Sequence, residues 1–350
     1  MRVSALLFLL ALPVRAADPV EGEMAKVVDL FYDLRFDEAL AAARAVEAGA
    51  PGHPAGPFYA GVVRYQQFIA EDARSTQAYA DFQEEFGRAQ ALSEAWLSTA
   101  PALGNYYLGA VHGFRARAFY ARRSFFASVG SARRGVKHLK KALGLDPDLE
   151  DARLGLGMYE YYVARSPMLA RPLAFAAVGM WGSREKGLEL LSRAADRGTA
   201  GRMEARSVLS GIYASEGEKD WDGAERLLKE LVERYPGNPL YRLRRLYVTL
   251  RRGTWWEAAA LADPEGAWLE RVPRSLRARA RAAALYRALE GELLAGHPEE
   301  ARAFLAKLDG RDLPDGLGPW VERRRAEAAA GKTKDGAVWP PAWPLTGAPD

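Results

Sequence analysis

The chain has 350 residues, 49% of them hydrophobic and 27% charged, with 33 Gly and 20 Pro, a globular composition that is neither disordered nor collagenous. Its formal net charge is +4, carried by 39 Arg and 10 Lys against 45 acidic residues, too small a surplus to announce a nucleic-acid binder. Cysteine is absent, which excludes disulfides, thiol catalysis, Cys-ligated zinc, iron–sulfur clusters and the lipid-modified cysteine of a bacterial lipoprotein.

The first segment reads as an address. Met1-Arg2 is a short basic start, Val3 to Leu12 is apolar, and Pro13 closes the run before Val14-Arg15-Ala16. This pattern predicts a secretory signal peptide over residues 1–16, cut after Ala16. A spanning helix needs about 20 apolar residues, so no membrane span is expected after cleavage. Losing Arg2 and Arg15 leaves the mature chain at +2. The expected location is the periplasm of a Gram-negative envelope, with secretion as the alternative.

From residue 20 onward strand signals are scarce and helical periodicity is nearly continuous. Phe36 to Leu40 opens one helix, with Ala43 and Val46 on the same face. Residues 55–130 are expected to form longer, aromatic-rich helices, either an enlarged set of helix pairs or a small subdomain. Phe58, Tyr65, Phe68, Tyr79, Phe82 and Phe86 fall there at helical spacings, and Ala100-Pro101 marks a break. Pro/Gly clusters at Pro51-Gly52, Pro147 and Pro236-Gly237 should end helices, because proline cannot continue one. The apolar run Pro172 to Trp181 is too short for a span. Residues 311–331 predict a charged, solvated capping helix containing Glu322-Arg323-Arg324-Arg325. The tail 332–350, with Trp339-Pro340-Pro341 and Trp343, reads equally as a loose end or as a segment docked back on the array.

One spacing recurs: a small residue, an apolar residue four on, another three on, and often a proline five further. It appears as Ala39-Ala43-Val46-Pro51, Gly135-Leu139-Ala142-Pro147, Gly187-Leu191-Ala194 and Ala224-Leu228-Leu231-Pro236, and without the proline as Ala301-Leu305-Leu308. The small residue lets two helices approach, and the next two fill the space between them. These residues, with turns such as Lys219-Asp220-Trp221-Asp222-Gly223-Ala224 and the pair Leu156-Gly157, resemble the tetratricopeptide repeat, a helix–turn–helix unit of about 34 residues. The resemblance runs over residues 17–310 and implies an all-α fold, a right-handed superhelix of antiparallel helix pairs, or α-solenoid. Gly157 and Gly187 lie 30 residues apart, which points to an insertion at 163–183. Tyr161-Tyr162, Pro167, Pro172 and Ser183 to Leu188 are also weakly similar to the tetratricopeptide family of mitochondrial inclusion-body clearance, a likeness that carries no chemistry.

A search for catalytic constellations finds none. His53, His112, His138 and His297 fall in different units without metal-ligand spacing, and no nucleophile elbow or phosphate loop is present. Acidic residues around Asp146 to Asp151 suit a helix start. The exported lytic transglycosylases, another class of helical superhelix, need a separate catalytic domain for which the repeats leave no room. The expectation is therefore no enzyme, no cofactor, no metal and no nucleic acid, but a scaffold or adaptor for a protein or peptide partner. In the tetratricopeptide family the first helix of each pair lines the concave face, which nominates Met158, Tyr161 and Tyr162; the competing reading packs these tyrosines against the insertion. Arg115 and Arg122, in a stretch mixing arginine with aromatics, are the candidates for pairing with a partner's carboxylates. The alternative function is a structural subunit of an envelope assembly that uses outer surfaces and the tail. Partner identity and oligomeric state are not legible in the sequence.

Overall fold

Prolines and short polar turns divide the chain into helices. The computed structural model describes residues 20–70, 75–165, 181–308, 313–314, 316–331 and 337–338. The expected signal peptide, most of the 163–183 insertion and both tail tryptophans lie outside the described residues. Among the described residues all regular structure is α-helical. In order these are α1 (Glu21–Tyr32), α2 (Phe36–Gly49), α3 (Ala55–Ala70), α4 (Thr76–Ala95), α5 (Pro101–Ala121), α6 (Phe125–Leu145), α7 (Asp151–Arg165) and α8 (Arg184–Arg197). They continue as α9 (Arg202–Tyr213), α10 (Trp221–Arg234), α11 (Pro239–Arg251), α12 (Trp256–Ala262), α13 (Trp268–Arg271), α14 (Arg274–Ala295), α15 (Pro298–Ala306) and α16 (Gly318–Ala329). The protein is all-α.

Helices pack in sequence-adjacent pairs, and first helices also touch one another: α1 meets α3, α3 meets α5, α5 meets α7, and α7 meets α9. The recurrent small residues sit at these contacts. A Cβ on Gly187 would lie 2.6 Å from the backbone nitrogen of Tyr161, and one on Gly157 would lie 2.8 Å from the Leu191 side chain, so α7 and α8 cross with almost no side chain between them. The apolar positions that follow, Leu191 and Ala194 in α8 and Leu228 and Leu231 in α10, are wholly buried. Each such leucine contributes about 1.5–3 kcal/mol by leaving water. Helices α3 to α6 are longer than their neighbours, and the aromatics of α3, α4 and α5 share one core with α1 and α2.

The turns repeat as well. Leu34, Arg123, Gly253 and Gly296 all have positive φ. In each case the next residue's N–H reaches back five residues, from Arg35 to Leu30, Ser124 to Phe119, Thr254 to Thr249 and His297 to Glu292. This is the Schellman arrangement, which satisfies carbonyls orphaned at a helix end. Four pairs thus share one stop signal, although only two of them supply the glycine that tolerates it without strain.

A contact no local pattern announces joins residues more than 200 apart. The turn between α10 and α11 seats on the end of α1: Arg234 and the Tyr235 hydroxyl both reach Asp29 at 2.8 Å, the Gly237 N–H donates to Asp33 at 2.8 Å, and the Asn238 amide donates to the Tyr32 carbonyl at 2.9 Å. Gly237 passes so close that a Cβ there would sit 2.8 Å from the Asp33 carbonyl oxygen and 2.9 Å from that of Arg271. The first helix is thereby fastened to the fifth pair.

The last helix differs from its expectation. α16 is charged, but Arg324 and Glu327 are buried rather than solvated. Arg324 binds Glu327 at 2.5 Å and Glu290 at 3.3 Å, while Arg287 binds Glu290 at 2.8 Å. The charges on this face are spent on α14 rather than on water. Arg324 also donates to the Ala337 carbonyl, and Val338 is buried against the same core, so the described part of the tail docks back on the array.

Candidate functional site

α5 carries a stripe at three- and four-residue spacing, Tyr106, Ala110, Phe114, Arg117 and Tyr120, which forms one face of a helix. That face looks into a half-enclosed cavity of about 390 Å³. α1 adds Val27, Val28, Phe31 and Tyr32, α3 adds Phe58, Tyr59, Val62 and Val63, and α7 adds Leu154, Met158 and Tyr162. Close to α5 the wall is glycine, from Gly109, Gly113 and Gly135, with Gly155 opposite. First helices of successive pairs converge because α1 is held across the end of the set by the 234–238 turn.

One ion pair faces this space. Arg117 on α5 meets Glu204 in the first turn of α9 at 3.1 Å. Its guanidinium also lies over the rings of Phe114, at 5.0 Å, and Tyr65, at 5.3 Å. Burial works against the charge on Arg117, but Tyr65, Glu204 and Tyr32 outweigh it and hold the arginine firmly charged. Burial raises the phenols of Tyr32, Tyr65, Tyr106 and Tyr162 above their ordinary range. Tyr162 nonetheless has 47% of its surface accessible. The two facts agree if that surface faces the cavity and not bulk solvent, and Tyr162 does line it.

Asp151 closes another part of the wall. Its carboxylate accepts from the Thr199 N–H and hydroxyl, both at 2.8 Å, and from the N–H groups of Ala200 and Gly201. It is the first residue of α7, as suits an acid at a helix start. Its oxygens are spent on the α8–α9 turn, which makes it a structural brace and not a reactive group.

The sequence-nominated residues divide. Met158 and Tyr162 line the cavity. Tyr161 turns the other way into the core around Leu191, Ala194 and Leu209 and donates to Glu218 at 3.0 Å; burial and Glu218 push its phenol up to about 12. Arg115 lies on another side of α5, bonded to Gln83 at 3.1 Å and to Gln90, and burial lowers its pKa. Arg122 caps α5 over the Tyr79 ring at 4.3 Å. Arg117 is the arginine that reaches the cavity. Helical phase carries the signal: at about 100° per residue, 117 falls within about 20° of Tyr106 on the stripe, whereas 115 and 122 fall on the far side of the helix.

The histidines do not all stay apart. The rings of His112 and His138 stack 5.9 Å apart across the α5–α6 pair, and His138 contacts the Asn105 side chain at 2.9 Å. His53 accepts from the Ala55 N–H at 3.0 Å. Among the described residues no three His, Asp or Glu side chains gather to hold a metal ion, and no helix is long and apolar enough to cross a membrane. Compared with models of protein families and with curated proteins, the chain matches none.

Proposed function

We propose that this chain is a non-catalytic binding protein built as a right-handed superhelix of tetratricopeptide-like helix pairs, and that its inner face holds a segment of a protein partner. The observation that carries this reading is the cavity walled by α1, α3, α5, α7 and α9, the first helices of five consecutive pairs, together with α6, the second helix of the third pair. Rigid aromatics there offer large contact area at low entropic cost. The export pattern at residues 1–16 supports an envelope partner. The test is a peptide-display selection on the folded chain, repeated with Met158→Ala/Tyr162→Ala. Selected peptides should lose at least tenfold in affinity for the variant, and unchanged binding would remove the inner face from consideration.

A second reading rests on the outer surface. Phe125 is 56% and Phe126 91% exposed at the start of α6, a costly display for a monomer and a natural assembly contact. Phe125→Ser/Phe126→Ser should lower the mass measured by sedimentation if the chain assembles through this edge.

A further inference from the structure

The cavity is amphipathic along its length. At one end stand Arg117 and Glu204, a donor and an acceptor whose charges cancel. Two turns back along α5, about 12 Å at 1.5 Å per residue, the wall includes Gly109, Gly135, Val136, Leu139 and Gly155, whose side chains offer carbon or nothing, beside the Tyr106 phenol and Asp151, whose oxygens are already taken by the 199–201 turn. A peptide can enter along that wall by an apolar side chain but not by its backbone, whose N–H and C=O groups need partners when buried. A methylene chain brings no such groups.

We propose that this cavity binds one molecule of a single-chain amphiphile with an uncharged hydroxyl head, the chain lying along the glycine wall and the head against the Arg117–Glu204 pair. A hydroxyl both accepts and donates, so it takes a hydrogen bond from Arg117 and gives one to Glu204. A carboxylate head would meet Glu204, and an ammonium head would meet Arg117, so the pair rejects either charge. The volume, about 390 Å³, falls within the range of small-ligand sites. The raised phenols of Tyr32, Tyr106 and Tyr162 are what a poorly hydrated lining produces. This inference rests on the inner face being the binding face, but not on the occupant being a protein.

Gly113 provides a clean test. It lines the cavity, and a Cβ built there meets nothing within 4 Å. Gly113→Leu places its Cβ in open space and the rest of its side chain toward the cavity, and it replaces a helix-interior glycine by a good helix former. Calorimetry with 1-alkanols from octanol to tetradecanol should show affinity rising about fourfold per methylene until the cavity is full. Dodecanoate and dodecylammonium should bind at least tenfold more weakly than dodecanol. Gly113→Leu, checked for helicity by circular dichroism, should abolish dodecanol binding. Should that variant misfold, Glu204→Gln decides: dodecanoate should gain on it relative to dodecanol. Affinity independent of chain length, equal binding of the charged probes, or no gain for dodecanoate on Glu204→Gln would each overturn the proposal. If alkanols fail while selected peptides bind and are lost with Met158→Ala/Tyr162→Ala, the amphiphile falls and the inner-face reading stands. If neither binds, both fall.

Discussion

In the C-terminal part of the chain, Arg287, Glu290, Arg324 and Glu327 are wholly buried and bound to one another. In the N-terminal part, Arg117 and Glu204 are also drawn in among aromatics, yet they keep 36% and 22% of their side-chain surface open to a cavity. Burial of charge is common to both. The difference is that one set is saturated by its own chain and the other faces volume that something else can fill. The first is read as a clamp between α14 and α16, the second as a recognition element. The four Schellman turns divide the same way, with Gly253 and Gly296 at positive φ in the C-terminal part and Leu34 and Arg123 in the N-terminal part, although Lys219 and Asp263 also bear that conformation outside this motif.

The largest expected effect lies in the C-terminal clamp. Arg324→Ala leaves the buried acids with one cation fewer, Glu290 keeping Arg287 and Glu327 the partly exposed Arg323, and should cost about 3 kcal/mol, read as a shift of the urea midpoint. A loss below about 1 kcal/mol would mean water reaches that cluster and would erase the contrast. In the N-terminal part the analogous truncation, Arg117→Met, should cost only about 1–2 kcal/mol, the worth of an open ion pair with its aromatic contact. A loss as large as that of Arg324→Ala would make Arg117 a structural residue.

A pH dependence should also mark the N-terminal part. His112 is depressed from 6.5 to about 4, by burial first and then by Arg134, Arg115 and His138. The folded imidazole stays neutral where the unfolded one takes a proton, so the unfolded chain binds more protons between those values. Stability should fall as pH drops from about 6.5 to about 4. His112→Leu should flatten most of that slope in thermal melts; an unchanged slope would assign it to other groups. The smallest effect is a gain. Arg123→Gly relieves a side chain held at φ 59° and should add about 1 kcal/mol, whereas Gly253→Ala should lose a similar amount.

Much of the architecture was legible because repeat packing is local. The spacing that sets Gly187, Leu191 and Ala194 on one face needs only the helical period, and those residues lie at the α7–α8 crossing. Proline breaks at 51, 147 and 236 needed only the geometry of proline. What stayed hidden depended on partners far along the chain. α16 reads as solvated from its own composition, and only the acids of α14 explain why Arg324 is buried. At the cavity, counting along one helix places Met158 and Tyr162 on the lining, whereas Tyr161, one residue further round, packs against α8. Arg115 and Arg122 were chosen for composition, while the helical phase selects Arg117. Its acidic partner lies 87 residues away, beyond any local pattern.

The seat of the 234–238 turn on α1 changes how such an array should come apart. A stack held only by nearest neighbours frays from its ends, each unit leaving at little cost to those beyond. Here the first pair cannot peel away without surrendering Asp29, Asp33 and the Tyr32 carbonyl to water, contacts closed over a loop of some two hundred residues. The described helices between residues 20 and 238 should therefore exchange their amide hydrogens as one cooperative block. They should also reach that state slowly, since so long a closure must be made before it is rewarded.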